Sequence, residues 1–233
     1  MALHGKKHLA AENKLEALNK KLTIKEALSA VKDLAYAKFD ESVDLNIILG
    51  IDPSKADQAV KGSVLLPAGV GKKVRVIAFA KGKHADDATK AGADFVGTND
   101  LVEKISSGWL DFDYVVATPD MMGLVGKLAK ILGPRDLLPN AKNGTVTFDI
   151  DKIVVDLKKG RSFYKNNKSG AINFSIGKSS FDVNKLYDNF VAFIKTLQAS
   201  KPASSKGQFL RKVTISSTMG VGIGIDLDEL SKI

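Results

Sequence analysis

Cysteine is absent from the chain, which excludes disulfide bridges, thiolate metal sites and a cysteine nucleophile. Histidine is almost absent. His4, His8 and His84 are the only three, too few to build histidine-based catalysis or zinc chemistry. Aromatic residues make up 7% of the chain, so the core must be mostly aliphatic. No apolar run has the length that crosses a bilayer, and Met1 to Lys21 is basic and broken by charges, unlike a secretory signal. These absences predict a cytoplasmic protein with no membrane contact, no cofactor, no metal and no catalytic residues.

What is present is bulk and positive charge. A chain of 233 residues, 44% of them hydrophobic, holds one large domain or two modest ones. The formal net charge of +9 is unevenly spread. Residues 1–69 carry 10 basic and 9 acidic side chains, residues 70–159 carry 14 and 12, and residues 160–233 carry 11 and 5. The excess in the last segment points to a face that meets phosphates, although net charge by itself also serves solubility.

Periodicity divides the chain the same way. Leu15, Leu18 and Leu22 recur at helical spacing, and Thr23 with Glu26 forms a capping box for a second helix with Ala27, Val31, Leu34 and Ala35 on one face. Val43, Leu45, Ile47 and Leu49 then alternate along a strand covered on one side. Past Pro67-Ala68-Gly69-Val70-Gly71 the character changes. Val74 to Ala80 and Asp113 to Ala117 are apolar runs without alternation, as in parallel strands buried on both faces. Helical stretches at Asp86 to Ala91, Asp100 to Ser106 and Met121 to Leu132 complete an α/β pattern. After Lys158-Lys159-Gly160 alternation returns at Ile172, Phe174 and Ile176. A helix capped by Asp182 follows, with Val183, Leu186, Phe190, Phe193, Ile194 and Leu197 as its stripe, and Val213 and Ile215 alternate beyond it. Insertion explains this economically: residues 1–69 and 160–233 form one α+β domain, and residues 70–159 form an α/β domain set into it. The two glycine-bearing connections, Gly69 and Gly71 on one side and Gly160 on the other, would form a hinge.

Glycine clusters do not make a nucleotide site. Gly69-Val70-Gly71-Lys72 precedes a strand, whereas a phosphate loop follows a strand and opens a helix. Gly177-Lys178-Ser179 lacks the earlier glycine, since Ile172 stands in its place, and Gly220, Gly222 and Gly224 leave no room for a following unit. The pairs Asp86/Asp87, Asp111/Asp113 and Asp226/Asp228 read as helix-start or turn residues. The better signal is Arg161 to Gly170, which mixes cations, rings and amides. Its lysines can meet phosphates, its amides read base edges and its rings stack, while Phe163 at least is expected to turn into the core. Ser216-Ser217-Thr218-Met219-Gly220 offers small hydroxyls and close backbone approach to a ribose. An enzyme using the α/β insert for a nucleotide and a DNA-binding regulator are the rival classes, and neither has a matching motif.

The ordered motifs resemble the L-one family of bacterial large-subunit ribosomal proteins. They are Phe39-Asp40-Glu41-Ser42-Val43-Asp44-Leu45, Leu65-Leu66-Pro67, Ala117-Thr118-Pro119-Asp120-Met121-Met122, Leu132-Gly133-Pro134-Arg135, Leu138-Pro139-Asn140-Ala141-Lys142, Ile176-Gly177-Lys178, Lys201-Pro202, Lys206-Gly207 and Ser217-Thr218-Met219-Gly220. The resemblance implies a discontinuous α+β RNA-binding domain with an inserted Rossmann-like α/β domain. It implies a protein of the large ribosomal subunit that grips ribosomal RNA as a mobile stalk, assists release of deacylated tRNA from the exit site and represses translation of its own operon mRNA. The RNA contacts it implies are Lys38, Phe39, Asp40 and Glu41 with Ser217, Thr218, Met219 and Gly220, joined by the basic residues Lys165, Lys168 and Lys178. The family usually has glycine at Asp136, proline at Ala141, histidine and threonine at Ala68 and Val70, and aspartate at Asn167.

Overall fold

The computed structural model describes residues 5–18, 22–205 and 207–230, apart from the side chains of Ala17, Leu18, Ala56 and Lys142. Lys206 of the family pattern and parts of the Met1 to Lys21 segment lie outside the described residues. In chain order the elements are α1 (Lys6–Leu18), α2 (Ile24–Leu34), β1 (Ser42–Leu49), β2 (Lys61–Leu65), β3 (Val76–Phe79), α3 (Lys83–Lys90), β4 (Phe95–Gly97) and α4 (Asn99–Ser106). Then come β5 (Tyr114–Ala117), the one-turn helices α5 (Met122–Val125) and α6 (Ala129–Leu132), α7 (Ile150–Lys159), β6 (Arg161–Lys165), β7 (Ala171–Lys178), α8 (Val183–Ala199), β8 (Leu210–Ser217), β9 (Ile223–Gly224) and α9 (Leu227–Leu230). Helix and sheet are mixed throughout, as expected. Residues 1–71 with 162–233 form one compact unit and residues 72–161 a second.

In the first unit β1 is central, with antiparallel neighbours β7 and β8 and with β9 beyond β8. Val43, Leu45, Ile47 and Leu49 are buried, while Asn46 and Ile48 are exposed, so alternation set the face as predicted. The covered face packs on α2 and α8. The capping box of α2 forms, with the Thr23 N–H donating to Glu26 Oε2 at 3.0 Å and the Glu26 N–H to Thr23 Oγ1 at 3.4 Å. Asp182 caps α8 as predicted, and Leu186, Phe190, Phe193, Ile194 and Leu197 are all fully buried. Phe174 stacks on Phe193 with ring centroids 4.1 Å apart. The helical spacing at Leu22 proves misleading, since Leu22 forms a parallel bridge with Ile225 instead.

The expectation for Phe163 is overturned. Tyr164 is the buried ring, 4% exposed, set edge-on to Phe193, with its hydroxyl 2.7 Å from Ser200 Oγ. Phe163 is half-buried on the other side of β6. Neighbouring residues of a strand face opposite ways, so a shift of one residue exchanges core for surface.

In the second unit three parallel strands run in the order β4-β3-β5, and Val146 extends the set by a parallel bridge to Ala117. Ile77, Phe79, Val115 and Ala117 pack with Leu101 and Ile105 of α4 and with Met121, Val125, Leu128 and Leu132. Val76, Ala78 and Val116 are also buried and alternate to the opposite face, and α7 packs on β3, β5 and α3. Two covered faces explain the unbroken apolar runs. The expected helix from Met121 to Leu132 is instead a chain of single turns, because Gly123 and Gly126 lower its helix propensity. Strand β4 and helix α7 carried no sequence reading. Asp136 is the one non-glycine residue described with positive φ, at 54°, and it stands where the family usually has glycine.

The exchange of roles between the two rings can be measured. Tyr164→Ala should cost about 3–5 kcal/mol in urea unfolding, as for large aromatics in cores, and Phe163→Ala about 1 kcal/mol. Equal costs would contradict the register of β6.

Candidate nucleic-acid interface

The segment 36–42, the turn 177–181 and the loop 217–220 meet at one end of the sheet, where β1 sets Ser42 beside Lys178 of β7 and Val43 beside Ser217 of β8. Two carboxylates stitch them together. Glu41 is 1% exposed, yet its oxygens are occupied: Oε1 accepts from the Ala37 N–H and Oε2 from the Met219 N–H, both at 2.9 Å. Burial alone would push the Glu41 carboxyl up. The N–H groups of Met219 and Ala37 more than offset that and hold it below the usual range. Asp40 fastens the turn: its carboxylate accepts from Ser179 Oγ at 2.9 Å, Ser180 N at 3.0 Å and Ser180 Oγ at 2.8 Å. The Ser180 hydroxyl is the largest reason that its carboxyl also sits low.

The loop is held equally firmly from behind. The Thr218 N–H donates to Ser42 O at 3.1 Å and the Ser42 N–H donates to Thr218 Oγ1 at 3.0 Å, which carries the β1–β8 ladder one step further. The Tyr36 hydroxyl donates to Met219 O at 2.6 Å. Gly220 packs closely on the loop, since a Cβ there would lie 2.3 Å from the Ser217 hydroxyl oxygen and the serine would have to turn to admit it. With its backbone held, Met219 turns its side chain outward, 52% exposed, and Phe39 on the neighbouring segment is 57% exposed. Lys38 and Thr218 are exposed as well, and Lys178 reaches Ser42 Oγ at 2.9 Å.

The remaining candidates lie elsewhere. Lys165 and Lys168 are exposed beside the 166–170 turn, which adjoins Leu49 through its N–H bond to Gly170 O. That is the opposite end of β1 and β7 from Lys178, about 23 Å away at the usual strand rise. The amide oxygens there are engaged within the protein. Asn166 Oδ1 accepts from Val60 N at 2.9 Å, and Asn167 Oδ1 accepts from Ser169 N, Ser169 Oγ and Ala171 N. Aspartate or asparagine serves equally at such a turn. Between the two ends runs the uncovered face of the sheet, lined by Asp44, Asn46, Asn173, Ser175, Thr214 and Lys212. No local pattern marks Tyr36, Ser179 and Ser180 as supports, because their partners are 139 or more residues away. The three glycine clusters are turns, a strand end and a short strand with no phosphate-loop geometry, since none opens a helix in the described residues.

Glu41→Gln keeps the shape of the site but sets an NH2 group against one of two buried N–H donors. It should lower stability by about 2 kcal/mol at about pH 7, measured by urea unfolding. Because the native carboxyl titrates below its unfolded value near 4.3, its stabilisation is complete above about pH 5 and is lost as pH falls through the lowered native value. Glutamine carries no such dependence, so the gap between the two proteins should close in acid. A gap unchanged down to about pH 3 would rule out an ionised Glu41 as the fastener.

Residues 31–221 match the sequence profile of the Ribosomal protein L1p/L10e family. The Large ribosomal subunit protein uL1 of Desulfosudis oleivorans is 49% identical over 226 residues, 97% of this chain and 96% of that protein. With the profile running through both compact units and a relative matched almost end to end, the chain belongs to the ribosomal protein L1p/L10e family.

Proposed function

We propose that this protein is a structural constituent of the large ribosomal subunit, acting on the cytoplasmic ribosome by binding large-subunit ribosomal RNA directly. It forms the mobile stalk that assists release of deacylated tRNA from the exit site, and it represses translation of its own operon mRNA through the same surface. Family membership supports the ribosomal role. The observation that carries RNA binding is the pair Phe39 and Met219, large apolar side chains kept exposed on segments that Glu41 ties together. Apolar groups held outward on a rigid frame suit stacking against unpaired bases or riboses.

In this reading Phe39, Thr218, Met219 and Gly220 face the RNA with Lys38 and Lys178, while Asp40, Glu41 and Ser217 hold them in place. Lys165 and Lys168 meet phosphates further along, so the RNA lies lengthwise over the uncovered sheet face. The residues 1–69 with 160–233 make the RNA-binding domain, and 70–159 an arm joined through a hinge at Gly69, Gly71 and Gly160. All three glycines have positive φ, a conformation few other residues adopt.

Filter binding to a transcript of the stalk segment tests the two ends separately. Phe39→Ala should weaken binding about tenfold with unchanged stability, the magnitude of one lost base contact. Lys168→Ala should lower the slope of log affinity against log salt by about one phosphate contact. Wild-type affinity in Phe39→Ala would remove the apolar pair from the interface.

A further inference from the structure

The turn 177–181 has a second neighbour besides the proposed RNA surface, and a buried amide joins the two. Asn189 lies inside α8 with no exposed surface. Its Oδ1 accepts from the Ala68 N–H at 2.9 Å, and its Nδ2 donates to Gly69 O at 2.9 Å and Ile176 O at 2.7 Å. Both amide hydrogens and the oxygen are therefore engaged. The carbonyl of Ile176 is available because β1 and β7 slip at this point: Val43 pairs with Gly177 and Asp44 with Ser175, which leaves Ile176 out of the ladder. One side chain thus grips the chain where it leaves the first unit and the bulge where β7 reaches the turn.

Packing joins them again. Gly71 lies flat on the turn, and a Cβ there would fall 2.9 Å from Lys178 Cγ and 3.0 Å from two ring atoms of Phe181. The other side of the same turn is bound to the proposed interface, through Asp40 on Ser179 and Ser180, the Ser179 N–H on Glu41 O at 2.8 Å, and Lys178 on Ser42. An added methyl group at Gly71 would press on the lysine placed at the RNA.

We propose that the turn 177–181, gripped by Asn189, couples the RNA surface to the connection 68–71, so that bound RNA restrains that connection and the connection in turn sets RNA affinity. Asn189 is the positioning residue of this linkage. The inference rests on the RNA-binding function proposed above. Coupling of this kind is reciprocal: whatever RNA does to the connection, a change in the connection does to RNA affinity.

Hydrogen exchange of the Ala68 and Gly69 amides is the direct test, in the full chain with and without a transcript of the large-subunit stalk RNA. Bound transcript should slow both amides about tenfold, within the usual range of site-to-site coupling. In Asn189→Leu the transcript should still bind but the slowing should vanish, a response that a purely structural asparagine would not produce. Gly71→Ala, which leaves the buried amide untouched, should bind the transcript about fivefold more weakly. If the transcript binds the wild type while both amides exchange at the same rate with and without it, the coupling is overturned and the RNA function stands. Wild-type affinity in Gly71→Ala overturns it equally. A transcript that does not bind the wild type at all removes both the function and the coupling.

Discussion

A carboxylate taken out of water costs several kcal/mol unless donors replace its hydration, and at Glu41 the donors are backbone N–H groups of its own segment, at Ala37, and of the distant 217–220 loop, at Met219. Backbone groups cannot rotate away as side chains do, so satisfying the charge fixes the positions of both segments at once. The residues that follow from this constraint are conspicuous. Phe39 and Met219 remain on the surface although each would gain by collapsing inward, because the backbone beneath them is committed elsewhere. An apolar pair held in place before a partner arrives loses little conformational freedom on binding. A neutral amide at Glu41 would not give the same rigidity, since only an acceptor-only group satisfies donors on both oxygens.

The fold brings this about by making β1 central. Its two neighbours come from the far end of the chain, so everything the N-terminal segment needs for a site arrives with β7 and β8. The alternation along these strands turns one side to the shared core and leaves the other uncovered and polar apart from Ile48. The site end and the Lys168 end are thus two edges of one continuous surface.

Much of this was legible because it is written locally. The alternation of Val43 to Leu49, the stripe of α8 and the capping box at Thr23 each involve residues within a few turns or strand steps, where spacing alone decides the face. The unbroken runs at Val76 and Tyr114 likewise announced a sheet covered twice. What spacing could not decide was which of Phe163 and Tyr164 turns inward, since both satisfy the same strand and only the position of Phe193 selects one. Nor could it foresee that Met121 to Leu132 would break into single turns, where apolar spacing argued for a helix and two glycines argued against it. The fasteners were invisible for a different reason. Asp40 with Ser180, Glu41 with Met219 and Asn189 with Ala68 join residues more than 100 positions apart, and no local pattern marks either partner.

The charge count located the basic excess in the third segment, and the structure divides that excess between two places with different physics. Lys178 stands among groups that fix shape, whereas Lys165, at the end of β6, and Lys168, in the turn after it, are exposed to solvent. In the proposed function the exposed lysines supply attraction that dissolved salt screens within roughly 10 Å. The apolar pair supplies contacts that salt does not screen. On that proposal, affinity and discrimination are carried by opposite ends of one sheet. A single RNA can use both only by spanning the roughly 23 Å between them, which favours a folded RNA element over a short single strand.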